Sequence, residues 1–143
     1  MITKKFKKEF LELKKLYVLY CYTDYTCKDL ECVIFSDSEE DIIEFKRENL
    51  ELYICEECFN KEDIFKYYHK NVLPEEGNYT LKFYDEGEFE TYYFETFEEL
   101  KNYVKKESYD FEYYWDCISC EVIDPNGETI FGIESVSTFA KQY

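Results

Sequence analysis

The residues best suited to chemistry are the cysteines of two C-x-x-C pairs, Cys55-Glu-Glu-Cys58 and Cys117-Ile-Ser-Cys120. Four thiolates in two such pairs form the ligand set of a structural zinc, which would clip two distant stretches of chain together. Three local features oppose that reading. Neither pair carries the Gly or Pro that turns a knuckle's amides toward sulfur. Glu56 and Glu57 lie between the first two thiols, and their charge disfavours thiolate. The second pair sits in a strand-like stretch, where residues three apart point to opposite faces. A redox role needs a lowered thiol pKa at a helix start; "CEECFNKED" does precede a helix, but the same two glutamates work against activation. The expectation is no metal and no cofactor, with Cys55, Cys58, Cys117 and Cys120 as the one set that could hold zinc. The cysteines, Cys21, Cys27 and Cys32 included, then act as reduced small hydrophobes.

One histidine, His69 in "KYYHK", falls near a helix C-terminus, where an exposed last-turn side chain is expected. No G-x-S-x-G, P-loop, Gly-x-Gly run or His-plus-carboxylate metal spacing occurs. No catalytic residue is assigned and a non-enzymatic role is expected.

Charge is the strongest signal. Thirty-three acids against 17 bases give −16. Residues 1–15 hold six lysines and two glutamates, so the remaining 128 residues carry −20. Windows 83–100 and 107–140 contain no basic residue. Such a surface repels phosphate, which argues against direct DNA binding and against anionic membranes. Glu86, Glu88 and Glu90 alternate in "DEGEFETYYF"; on a strand they line one face at about 6.6 Å spacing, from a rise of about 3.3 Å per residue. That is close to the roughly 6–7 Å between successive phosphates of a nucleic-acid strand, given about 3.4 Å of rise per base pair. Asp110, Glu112 and Asp116 extend a similar row, and Glu56 and Glu57 add to the acidic surface.

Several elements must position these residues. A length of 143 residues, 45% apolar and 21% aromatic, predicts one domain, 1–143, with a real core. No apolar run is long enough for a membrane helix, and the lysine-interrupted N-terminus lacks a signal-peptide core. With an odd seven cysteines this predicts a reducing, cytoplasmic setting. Periodicity predicts helices over 3–15 (stripe Phe6, Phe10, Leu13), 36–49 (capping box Ser36 and Glu39), 60–70 (cap Asn60) and 96–108 (capping box Thr96 and Glu99). Strands are predicted over 16–23, 29–36, 50–56, 79–84, 89–94, 110–123 and 128–134, with turns at Asp24, "DEGE" and "DPNG". In 110–123 the alternation of acids and aromatics breaks near Cys117–Cys120, which predicts a bulge or bend. An internal echo relates 32–58 to 91–120: strand, capped helix, strand, with Phe35 matching Phe94 at an offset of 59 and the cysteines matching at 62. The predicted architecture is α+β: an antiparallel or mixed sheet, helices on one face, built from two similar strand–helix–strand units.

A rigid acidic sheet edge can occupy the basic groove of a nucleic-acid enzyme, and 16 tyrosines supply low-entropy contacts. Small, very acidic, motif-free proteins rich in Lys, Glu, Tyr and Phe resemble, in general character, the anti-restriction and anti-CRISPR inhibitors carried by phages and mobile elements. That likeness implies a stoichiometric inhibitor whose partner is a basic nucleic-acid-binding protein, a nuclease or CRISPR effector. Two alternatives stay open: an immunity protein neutralising a basic nuclease toxin, and a module binding a nucleotide signal. The second needs a basic pocket, and the only lysine cluster, Lys4, Lys5, Lys7, Lys8, Lys14 and Lys15, is spread around a solvated face.

Overall fold

The computed structural model describes residues 1–110 and 118–143, the side chains of 108–110 excepted. They form an α+β fold of two compact units, Met1–Tyr68 and His69–Tyr143. Each unit has its own antiparallel sheet, where the sequence suggested one shared sheet. No described helix is long and apolar enough to cross a membrane.

The first unit runs β1 (Lys15–Tyr22), β2 (Leu30–Ser36), α1 (Glu39–Glu48), β3 (Tyr53–Asn60) and α2 (Lys61–Tyr67), followed by a π-helical turn at Tyr68–Val72. Its sheet order is β2-β1-β3. Strand β1 is central and apolar on both faces, as a doubly covered strand must be. On one face Leu19, Cys21 and Ile34 meet Ile42 and Phe45 of α1. On the other, Leu16, Val18, Phe35 and Phe59 meet Ile64 and Tyr67 of α2 together with Phe6 and Phe10. Helices on one face only does not hold here. Asn60 caps α2, accepting from the Asp63 amide at 2.8 Å.

Three expectations about this unit need correction. The helix over 3–15 is reduced to a 3-10 turn at Lys8–Glu12. Thr3 exchanges amide bonds of 3.0 and 2.9 Å with Phe35, and Lys15 is already paired with Asn60, so the chain is held extended at both ends. The Phe6–Phe10 contact survives, edge to face at 5.4 Å. The cap of α1 is Ser38, which accepts from the Asp41 amide, because Ser36 is still in the ladder opposite Tyr17. Strand β3 starts later than 50 and runs through both cysteines to Asn60, since β1 offers a partner for every residue from Tyr53 onward.

The second unit runs β4 (Tyr79–Asp85), β5 (Glu88–Phe94), α3 (Phe97–Asp110), β6 (Ser119–Ile123), β7 (Thr129–Ser135) and α4 (Val136–Gln142), with sheet order β5-β4-β6-β7. The β4–β5 hairpin closes through Glu86-Gly87, both at positive φ (48° and 86°), as a two-residue primed turn requires. Thr96 accepts from the Glu99 amide at 3.2 Å and starts α3. Helix α3 continues to Asp110, so that residue ends a helix and does not begin a strand. The expected strand residues 111–117, with Glu112, Asp116 and Cys117, lie outside the described residues. The register of β6 against β7 shifts between Cys120 and Val122, close to the predicted break. Asp124 accepts from the amides of Asn126 and Glu128, both at 2.9 Å, and forms the turn that "DPNG" predicted. Helix α4 had not been expected. Its signal was Ser135, which caps it by accepting from the Thr138 amide, ahead of Phe139, which packs on Phe131 at 5.1 Å.

The internal echo is present as topology. In each unit a hairpin (β1-β2, β4-β5) leads through a helix to a third strand on the far side of the first. Aligning the caps Ser38 and Thr96 sets an offset of 58, not 59. It superposes Ile42 on Leu100 and Ile34 on Tyr92, all four buried. Carried through the ladders, Leu19 corresponds to Leu81, and Ile54 to Cys120. Cys58 and Cys120 are therefore not equivalent positions in the sheets.

Candidate functional site

The acids singled out from sequence fall in separate places. Glu86 sits in the hairpin turn, not on the strand. Glu88 and Glu90 share a face of β5, but it is the face of buried Tyr92 and Phe94. Glu90 is held there: it lies 3.3 Å from the Lys70 ammonium and accepts from the Tyr92 hydroxyl at 2.8 Å. Lys70 also lies 5.0 Å over the Tyr92 ring. The three-carboxylate ladder is thus replaced by an acidic tip of Asp85, Glu86 and Glu88, all exposed. Asp85 and Glu88 are direct cross-strand partners, an arrangement of like charges that disfavours the fold and is tolerated where water screens it.

Sequence reasoning passed over the aromatic beside this tip. Phe89 is 63% exposed and packs against its cross-strand partner Tyr84 at 6.1 Å. The signal was its position between Glu88 and Glu90, which puts it on the opposite face from Tyr92. Among the described residues, no helix of this unit packs on that face.

Glu56 and Glu57, adjacent in β3, point to opposite faces. Glu56 pairs with Lys46 of α1. Glu57 faces Tyr20, whose hydroxyl is pushed up to about 12 by burial and then by the Glu57 charge. Asp110 ends α3, and Glu112 and Asp116 lie outside the described residues.

His69 is not the surface side chain expected. It is 3% exposed and stacked on Phe94 at 4.4 Å. Its Nδ1 lies 2.7 Å from the Tyr93 carbonyl oxygen, which can only accept, so Nδ1 carries the proton. Burial lowers its pKa, and does so more than the Tyr93 bond and the Glu99 and Glu95 charges raise it. Close by in sequence, Tyr92 and Tyr103 hydrogen-bond to each other and pack at 5.1 Å. Burial raises both hydroxyls above the ordinary phenol range, and the charges of Glu90 and Glu107 act in the same direction. This polar cluster is part of the core and opens to no cavity among those described.

Cys55 and Cys58 are exposed on β3 and, three apart, on opposite faces. Cys120 is buried on β6, its thiol pushed up to about 12 by desolvation. Among the described residues no group of three or more His, Cys, Asp or Glu is arranged to hold a metal. No family model, curated protein or solved structure matches this chain.

Proposed function

We propose that this protein is a non-enzymatic inhibitor that seats the β4–β5 hairpin in the basic groove of a nucleic-acid-targeting enzyme, in the manner of an anti-restriction or anti-CRISPR protein. The observation that carries this reading is the hairpin end: Asp85 and Glu88 exposed on one face, Glu86 exposed in the turn, and the ring of Phe89 exposed on the other face. The carboxylates supply charge complementarity and steering, and the Phe89–Tyr84 pair supplies an aromatic anchor. The second unit as a whole holds six Lys and Arg against 17 acids, so the field that steers the hairpin is that of its own unit. A ladder of carboxylates in phosphate spacing is no longer part of the reading, because Glu90 is tied to Lys70 and Tyr92.

The test is a binding panel of basic nucleases and RNA-guided effectors, with affinity measured at two salt concentrations. The combined variant Asp85→Asn, Glu86→Gln, Glu88→Gln is expected to slow association at least tenfold and to flatten the salt dependence. Phe89→Ala is expected to speed dissociation. A complex insensitive to all four substitutions refutes the proposal.

A further inference from the structure

Strand β3 ends its sheet, and among the described residues no strand pairs with its outer side. The opposite edge is closed: Phe35 of β2 exchanges two amide bonds with Thr3. An open edge is a template for another strand, and folds usually blunt one with lysine, proline or a bulge. Strand β3, "YICEECFN", has none of these and pairs with β1 in unbroken register over all eight residues.

The ladder fixes where the amides of β3 point. Phe35 turns its N–H and C=O to Thr3, so its pairing with Val18 is a non-hydrogen-bonded one. Val18 therefore bonds on its other side, to Glu57. Alternation along β3 then aims the amides of Tyr53, Cys55 and Glu57 at β1 and those of Ile54, Glu56 and Cys58 outward. Side chains alternate as well. Tyr53, Cys55 and Glu57, all exposed, share the face that α2 covers at its Phe59 end. Away from that cover, Leu30, Tyr22 and Tyr53 form one row across three strands, with Leu30 51% and Tyr53 48% exposed.

Charge decides what can pair there. Because outward amides recur at every second residue, two copies joined antiparallel about a twofold axis must set one residue opposite its own copy. The two registers with the most overlap centre on Glu56 or on Glu57, and like charges directly opposite disfavour a pair. Glu56 already has a cation, Lys46 of α1. Glu57 stands exposed on the aromatic face, and among the described residues no ion pair includes it. The edge thus rejects a second copy and favours a strand that brings a positive charge.

We propose that the β3 edge binds an extended segment of a partner protein as a fourth, antiparallel strand, with lysine or arginine opposite Glu57 and an apolar residue opposite Tyr53. Main-chain bonds to Ile54, Glu56 and Cys58 supply the affinity, and the two side-chain pairings supply the selectivity. On the outer edge Tyr53 and Glu57 stand at non-hydrogen-bonded positions, where facing side chains come closest. The site lies on the first unit and does not depend on the β4–β5 hairpin.

The experiment titrates the full chain with the end-blocked peptide Thr-Lys-Thr-Val-Thr-Tyr-Thr, up to millimolar concentration, and follows backbone amides by NMR and hydrogen exchange. In the free protein the amides of Ile54, Glu56 and Cys58 are expected to exchange readily, and those of Cys55 and Glu57 to be protected. The peptide is expected to shift and protect the first three. Glu57→Lys should weaken binding at least tenfold, and a peptide with glutamate in place of its lysine should recover it. N-methylation of the third and fifth peptide residues, whose amides face β3, should abolish binding. Outward amides that do not respond at the highest concentration, responses confined to other strands, or equal binding of the N-methylated peptide would each overturn the proposal. So would indifference to Glu57→Lys, or a wild-type dimer joined through β3.

Discussion

The two units repeat one strand plan and complete it differently. In the first, β3 runs straight into α2, which with Phe6 and Phe10 covers the second face of the sheet. In the second, β6 turns into β7 and α4, and Phe139 of α4 joins Leu100 and Tyr103 of α3 on the face of Leu81, Phe83 and Tyr92. Charge follows the same division: 11 basic against 16 acidic residues in the first unit, six against 17 in the second. The helix-facing positions also diverge. Where the first unit has Cys32, Ile34 and Phe45, the second has Glu90, Tyr92 and Tyr103 at the offset of 58. An apolar layer in one copy is a hydrogen-bonded layer in the other. The backbone plan does not dictate the chemistry of its own core, provided each polar group brings a partner.

The comparison is broken most severely by removing an aromatic that the polar layer rests on. Phe94→Ala, which strips the stacking partner of His69 and Tyr103, is expected to cost about 3–5 kcal/mol, read by urea unfolding. Acidification is the next largest lever. The His69 pKa is lowered in the fold, so its contribution is fully present above the unfolded value near 6.5 and is lost as pH falls from there toward the folded value. Stability should drop by up to about 1.4 kcal/mol per pH unit in that window. A His69→Phe protein that shows the same slope between pH 6.5 and 5.5 would refute this assignment.

Equivalent positions then sharpen the contrast. Ile34→Val and Tyr92→Phe should each cost about 1 kcal/mol, the first through lost methylene packing and the second through lost hydrogen bonds. They part above pH 10. The Tyr92 hydroxyl is raised in the fold, so its stabilisation is intact below the unfolded value and is lost as pH rises past it. Ile34→Val should keep the wild-type loss in alkali, and Tyr92→Phe should show less of it. The smallest effect is at the hairpin turn. Glu86→Asn relieves a left-handed backbone at a residue without glycine's freedom, and should stabilise by a few tenths of a kcal/mol.

Features set by short-range rules were legible in the sequence. Asn60, Thr96, Asp124 and the Glu86-Gly87 turn act over two to four residues and were placed correctly from residue type alone. What failed depended on distant partners. The stripe at Phe6 and Phe10 is real, but the bridge from Thr3 to Phe35 decides that its backbone is not a long helix. Ser36 and Ser38 are equally good caps by type, and only the ladder with Tyr17 chooses between them. The histidine sits where a helix end would leave it exposed, until Phe94 and the Tyr93 carbonyl arrive from a strand 24 residues on. Of the candidate site, the acids were visible and their grouping was not, because whether Glu90 is surface charge or a partner for Lys70 depends on a contact across 20 positions.

The ladder of the first sheet has a consequence for synthesis. Every pairing in it joins residues between Thr3 and Asn60. At translation speeds of about 5–20 residues per second, the sheet's last residue is made several seconds before residue 143. The second sheet has no such head start. Strand β4 waits for β6, which is polymerised only after the whole of α3, and β6 waits in turn for β7. A nascent chain halted partway through α3 would present one finished sheet and one bare hairpin, with the acids of that hairpin already in place.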